Sequence, residues 1–233
     1  MPLPDLADWL ATATALVAPP LCVSCRRPPA RAGDRLCPAC RAEVPWLRGP
    51  RCPRCALPAP CGPRCPMAGS AIARAWTPVA FEGPARALVH ALKFRGALVV
   101  ADLMAAQMVA TAPAGLLADG VAIVPVPTPA VRRRRRGFDH AARLAAEIGD
   151  RTGLDVVPCL RRAGAAPRQA GARRAERLVD GRVRVEVCGA VPAHVVLVDD
   201  VHTTGATLRE CARKLQWNGA LEVTALAYAR ALR

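Results

Sequence analysis

The sequence predicts an α/β fold, a parallel sheet with flanking helices, behind a small N-terminal Cys-rich module. Three observations carry that prediction. Short, almost wholly apolar strands alternate with amphipathic helical stretches from residue 71 onward, the pattern of a parallel sheet covered on both faces. Eight of the 11 cysteines fall within residues 22–65, and Cys is rare beyond Ser70. The 233 residues suffice for one good-sized domain plus a small appended unit.

The elements follow in order. Leu6, Trp9, Leu10, Ala13 and Leu16 recur at helical spacing and predict an N-terminal helix, unit 1–20, stopped by Pro19-Pro20. Residues 21–70 are rich in Cys, Pro, Arg and Gly with little apolar periodicity, as expected where metal rather than a core holds the fold. The third unit is 71–233. Within it, 76–81 reads as a strand and 84–94 as a helix opened by Pro84, a favoured first helical residue. A helix over 98–111 and a buried strand over 121–126 come next. Arg132–Arg136 then falls in a predicted loop. Residues 138–151 read as helix, 182–187 and 194–199 as strands, 206–217 as helix and 221–228 as the last strand.

The cysteine spacing points to zinc. Cys22-x2-Cys25 with Cys37-x2-Cys40 supplies four thiolates as two knuckles, each presenting two sulfurs to one ion. Cys52-x2-Cys55 with Cys61-x3-Cys65 supplies a second four, its last pair wider than the usual knuckle. The spacing alone leaves interleaved pairing, and one or two ions, open. Four-thiolate sites have no open position for water, so the zinc is expected to be structural.

Charge and compartment come next. The formal charge is +15, and Lys93 and Lys214 are the only lysines. Each four-thiolate zinc site would carry −2, so two would bring the chain toward +11. Between Arg132 and Arg184 stand 15 arginines against 6 acids, which calls for an anionic partner, a phosphorylated metabolite or a nucleic acid. The acidic start (Asp5, Asp8) is unlike a secretory signal, and neither long uncharged stretch reaches the roughly 20 apolar residues of a membrane span. A soluble, cytoplasmic protein is expected.

Several classes are excluded. Ser24 and Ser70 are the only serines and neither lies in a Gly-x-Ser-x-Gly elbow. The chain has no Gly-x-Gly, no Gly-Lys-Ser/Thr and no His-Glu-x-x-His.

The most informative segment is 195–207, Val-Val-Leu-Val-Asp-Asp-Val-His-Thr-Thr-Gly-Ala-Thr. An apolar strand ends in Asp199 and Asp200, and a threonine-rich loop with Gly205 leads into a helix. Thr203, Thr204 and Thr207 offer hydroxyls, Gly205 lets backbone N–H groups approach, and the helix N-terminus adds partial positive charge. The two acids can accept hydrogen bonds from ribose hydroxyls. Such a loop suits a phosphorylated sugar. His202 reads as filler in it, His90 as a packed helix residue, and Lys93 as either a phosphate contact or a helix C-terminal cation.

This loop resembles the phosphoribosyl-pyrophosphate signature of type I phosphoribosyltransferases. Nearly the whole chain is similar to the ComF family, competence proteins of the ComFC type with an N-terminal double zinc ribbon. The landmarks are the cysteine knuckles, Phe81-Glu-Gly-Pro84, the run Leu88 to Gly96, Val124-Pro-Val-Pro127, Arg136-Gly137-Phe138, Gln169 and the loop. After Phe138 the family usually has Asn-Gln, where this chain has Asp139-His140; Asp180 stands where the family often has Asn.

The resemblance implies a type I phosphoribosyltransferase fold, binding of phosphoribosyl pyrophosphate with Mg²⁺, and a link to DNA uptake or nucleotide salvage. It implies that Asp199 and Asp200 engage the ribose, as the catalytic pair. Thr203, Thr204, Gly205 and Thr207 would hold the 5′-phosphate, with Val201 and Ala206 in the same binding segment. Pro125, Val126, Lys93 and Arg136 would approach the pyrophosphate. Two functions are compatible with this: a pentosyltransferase, or a non-catalytic adaptor that passes single-stranded DNA to the uptake machinery. The stacking platform of single-strand binders is not visible, Phe138 being the one aromatic near the arginine run.

Overall fold

The computed structural model describes residues 21–29, 31, 33–62, 65–94, 99–163 and 183–232. The expected N-terminal helix, Arg95-Gly96, and Gln169 with Arg173, Arg174, Arg177 and Asp180 lie outside them.

The apolar runs become a five-stranded, all-parallel sheet: β1 (Arg74–Trp76), β2 (Val79–Ala80), β3 (Ala122–Pro125), β6 (His194–His202) and β7 (Glu222–Arg230). The path is β1-β7-β6-β3, with β2 also on β7. The expected strand 76–81 is thus split around Thr77-Pro78, where proline has no N–H to give the ladder. The expected strand 182–187 shrinks to β5 (Val185–Val187), which pairs antiparallel with β4 (Leu160–Arg162) in a separate ribbon.

Among the described residues the helices are α1 (Pro38–Ala42), α2 (Gly83–Phe94), α3 (Val100–Thr111), α4 (Ala130–Arg136), α5 (His140–Thr152) and α6 (Ala206–Trp217). In α5, Ala141, Leu144, Ala145 and Ile148 are buried at helical spacing; in α6, Leu208, Cys211, Ala212 and Leu215 are. Arg132–Arg136 is helical, not the expected loop. Gly137, at φ 81°, ends that turn and donates its N–H to Arg133 O at 2.8 Å.

Alternation along β6 divides the interior in two. Val196 and Val198 face one core, shared with α2, α3 and α5; Val195 and Leu197 face the other, shared with α6. The Cys-rich segment supplies both. Cys22, Leu36, Cys37, Cys40 and Val44 belong to the first core, and Cys55, Ala56 and Met67 to the second. Among the described residues no helix is long and apolar enough to cross a membrane.

Candidate functional site

β6 runs farther than its apolar stretch. Its pairing with β7 continues to His202↔Arg230, so Asp199 and Asp200 lie inside the strand rather than at its end. β3 stops pairing at Pro125↔Val198. From Asp199 on, one edge of β6 has no neighbouring strand among the described residues, and there a cavity of about 770 Å³ opens. It lies beyond the carboxyl ends of the strands, where open α/β sheets place ligands.

The cavity gathers most of the expected residues. Lys93, Val126, Arg136, Asp199, Asp200, Val201, Thr203 and Thr207 line it; Pro125, Thr204, Gly205 and Ala206 do not. Thr204 Oγ1 instead accepts the Ala206 N–H at 3.4 Å, closing a turn at the start of α6. Gly205 has a reason besides ligand approach. Its φ is 75°, and a Cβ there would stand 2.4 Å from Met67 Sδ and 2.9 Å from His202 Nε2.

Asp200 is almost fully buried. Its Oδ2 meets Lys93 Nζ at 2.6 Å and His140 Nε2 at 3.4 Å. Lys93 is thus both the cation in the last turn of α2 and an ion-pair partner. Arg136 Nη1 lies 3.3 Å from His140 Nδ1. A guanidinium can only donate, so Nδ1 accepts and Nε2 carries the proton toward Asp200. That neutral imidazole agrees with burial, which holds its pKa below the ordinary value, the Asp200 charge opposing.

Asp199 accepts the Asp200 N–H at 2.8 Å. Burial, then the neighbouring Asp200 charge, pushes its carboxyl up to about 8. One oxygen of each acid and a His140 nitrogen lie within 4.8 Å of one another.

Asp139 N-caps α5 by accepting from Ala141 N and Ala142 N, and also accepts from Thr128 Oγ1 at 3.0 Å. Two of the three positions that depart from the ComF pattern therefore have defined places: 139 fixes the helix and 140 joins the acidic site.

Other contributors had no local signal. Arg162, on β4, donates to Pro127 O at 3.0 Å and Thr207 Oγ1 at 3.3 Å, tying the β3 turn to the start of α6. His90 is exposed and lines the cavity, contrary to its reading as a packed residue. His202, read as filler in the loop, is buried at 1% exposure, and its pKa is lowered to about 4 by burial and by Arg230 and Arg209. Behind the loop, Arg230 donates to the carbonyls of Cys55, His202 and Thr203.

The cysteines resolve into two sequential clusters, 22/25/37/40 and 52/55/61/65, with the sulfurs of each within 4.8 Å of one another. Cys25–Cys37 is 3.6 Å and Cys52–Cys65 3.8 Å. A tetrahedron with Zn–S bonds of about 2.3 Å has edges of about 3.8 Å, so both clusters fit structural zinc.

Comparison with known proteins agrees. Residues 13–69 match the double zinc ribbon domain family. Two solved structures share limited likeness, each with TM-score 0.36 and about a quarter of its own length matched: an allosteric regulatory enzyme of purine biosynthesis (22% identity, 55% of this chain) and the glutamine phosphoribosylpyrophosphate amidotransferase of B. subtilis (21%, 54%). The DNA utilization protein YhgH of Salmonella typhi is 32% identical over 229 residues, 93% of this chain and 100% of the relative. YhgH of Escherichia coli K12 is 31% identical over the same length. With such identity sustained along all of these relatives, the chain belongs to the YhgH family.

Proposed function

We propose that the cavity binds phosphoribosyl pyrophosphate and that the chain is a phosphoribosyltransferase-type protein of the cytoplasm, acting in the use of DNA. One observation carries this reading. Two acids, three threonines and the cations Lys93, Arg132, Arg136 and Arg162 converge on one cavity beyond the carboxyl ends of parallel strands. The resemblance of residues 195–207 to the phosphoribosyl-pyrophosphate signature, and of the whole chain to the ComF family, supports it. The names of the YhgH relatives support the link to DNA.

The residues then have defined tasks. Thr203 and Thr207, at the positive end of α6, hold the 5′-phosphate. The pyrophosphate reaches Lys93 and Arg136 beside Val126. As the ammonium of Lys93 turns to the pyrophosphate, Asp200 is released to accept from a ribose hydroxyl. In the transfer, the anomeric C–O bond breaks and its electron pair leaves with the pyrophosphate, a C–N bond to the acceptor forms, and the acceptor nitrogen gives up a proton to the departing pyrophosphate or to water. Positioning and stabilisation of the leaving charge supply the catalysis.

Magnesium would neutralise the pyrophosphate. Asp199 offers it an oxygen ligand, whereas Lys93 already faces Asp200, so the ligand's own oxygens would be its main holders. The proposed division is a zinc module over 21–70 and a phosphoribosyltransferase-like domain over 71–233, with both metal clusters built into the cores of the second.

The test is calorimetric titration with phosphoribosyl pyrophosphate and Mg²⁺. Saturable binding to the wild type, lost in Asp199→Asn/Asp200→Asn, is expected. Equal affinity in both proteins would refute the site.

A second reading is favoured by the arginine-rich stretch Arg132–Arg184: an adaptor for single-stranded DNA without turnover. It predicts strand binding that falls steeply with salt and is indifferent to Asp199→Asn.

A further inference from the structure

All three phenylalanines of the chain, Phe81, Phe94 and Phe138, line the same cavity. They come from the turn after β2, the end of α2 and the turn after α4. Two of them combine with His90 into a continuous wall. His90 and Phe94 are four residues apart on α2, with ring centroids 5.7 Å apart and planes at 54°. His90 also stacks on Phe81, at 6.2 Å and 24°. The guanidinium of Arg136 sits 4.8 Å from the centroid of Phe94.

Phe94 is 67% exposed, so its ring is accessible to a ligand in the cavity. The wall lines the same cavity as Thr203, Thr207 and the two acids, and it adjoins them: Lys93, between His90 and Phe94 on α2, reaches Asp200. A phosphorylated sugar held by the threonines and acids would have a π surface beside it. The surface has the chemistry that takes flat, electron-rich rings: aromatic faces backed by a guanidinium plane.

We propose that Phe94 and His90, beneath Arg136, form a stacking platform for a nucleobase. The inference deepens the preceding proposal by naming the class of ring that meets the sugar phosphate. The ring's source is either a free base, as the acceptor of pentosyl transfer, or a base of a single strand threaded past the sugar-phosphate site. Both use the same contact.

The experiment compares the wild-type, zinc-loaded protein with Phe94→Leu, which keeps an apolar side chain and removes the π face. Phe94 is exposed at a helix end, so the variant should fold; its zinc content and melting temperature verify that. Three probes are titrated: free adenine, guanine, cytosine and uracil, in the presence of phosphoribosyl pyrophosphate and Mg²⁺; an oligothymidylate; and an abasic oligonucleotide of the same length.

Loss of one stacked base weakens binding by about tenfold. Phe94→Leu should therefore weaken at least one free base, or the oligothymidylate, by about that factor, leaving the abasic strand within about twofold. An effect on free bases alone identifies an acceptor; an effect on the oligothymidylate alone identifies a threaded strand. The proposal is overturned if neither probe distinguishes the two proteins, if no base-containing probe binds the wild type, or if the abasic strand weakens equally. Phosphoribosyl pyrophosphate titrated alone reads the preceding proposal separately: its failure to bind wild type would sink that proposal while the oligonucleotide arms still judge the platform.

Discussion

Arg230 is the side chain whose removal tests most directly how the metal-bearing segment and the phosphate-type loop are joined. It is 3% exposed and ends β7. Its Nε donates to Cys55 O at 2.9 Å, and its Nη1 donates to the carbonyls of His202, Thr203 and Ala231. Nη1 has two hydrogens for three carbonyls, so the set counts as about three bonds. Bonds from a charged donor are worth about 1.5 kcal/mol at the low end, which gives roughly 4–5 kcal/mol. Removing a buried charge relieves its desolvation and offsets 1–2 kcal/mol of that on an order-of-magnitude reckoning.

Arg230→Met should therefore cost about 3 kcal/mol, a fall in melting temperature of roughly 6–12 °C in a chain of this size. Differential scanning fluorimetry at saturating zinc, with urea unfolding alongside, measures it. Arg230→Lys should recover only part, because an ammonium cannot reproduce the fork. A fall smaller than about 2 °C for Arg230→Met would refute the argument that this guanidinium clamps the loop to the second cysteine cluster.

Gly205→Ala should destabilise by about 1–2 kcal/mol from its left-handed backbone, with more from the clashes with Met67 and His202; Met67→Ala in the same chain should recover the Met67 clash but neither the His202 contact nor the backbone share, read by urea midpoints. Cys25→Ser and Cys55→Ser should each lower zinc content from two ions per chain to one by metal analysis, but only Cys55→Ser, whose carbonyl holds Arg230, should also weaken ligand binding at the loop. Two groups set opposite pH dependences. Asp199 keeps its proton in the folded state up to about 8 but loses it near 3.8 when unfolded, so its contribution falls as pH rises through that window, and Asp199→Asn should flatten the fall. His202 protonates near 6.5 unfolded but only near 4 folded, so stability is lost as pH drops through that range, a loss that His202→Gln should remove.

The sequence by itself determined the zinc ligands, the alternating α/β order and the acid–threonine loop. Each is written in local spacing: Cys-x-x-Cys is one turn, an apolar run is one buried strand, and helix 206–217 begins and ends where its periodicity does. Local spacing has no view of partners in space. It ended β6 at Asp199, whereas the ladder with β7 carries the strand to His202; it read Arg132–Arg136 as a loop, although Gly137 ends a helical turn there. The cysteine pairing needed distances between sulfurs. Phe81, His90 and Phe94 become a wall only when α2 is laid beside the cavity, and Arg230 meets Cys55 across 175 positions of chain. Contacts of that separation are decided by which faces the sheet buries, and burial is a property of the folded chain as a whole.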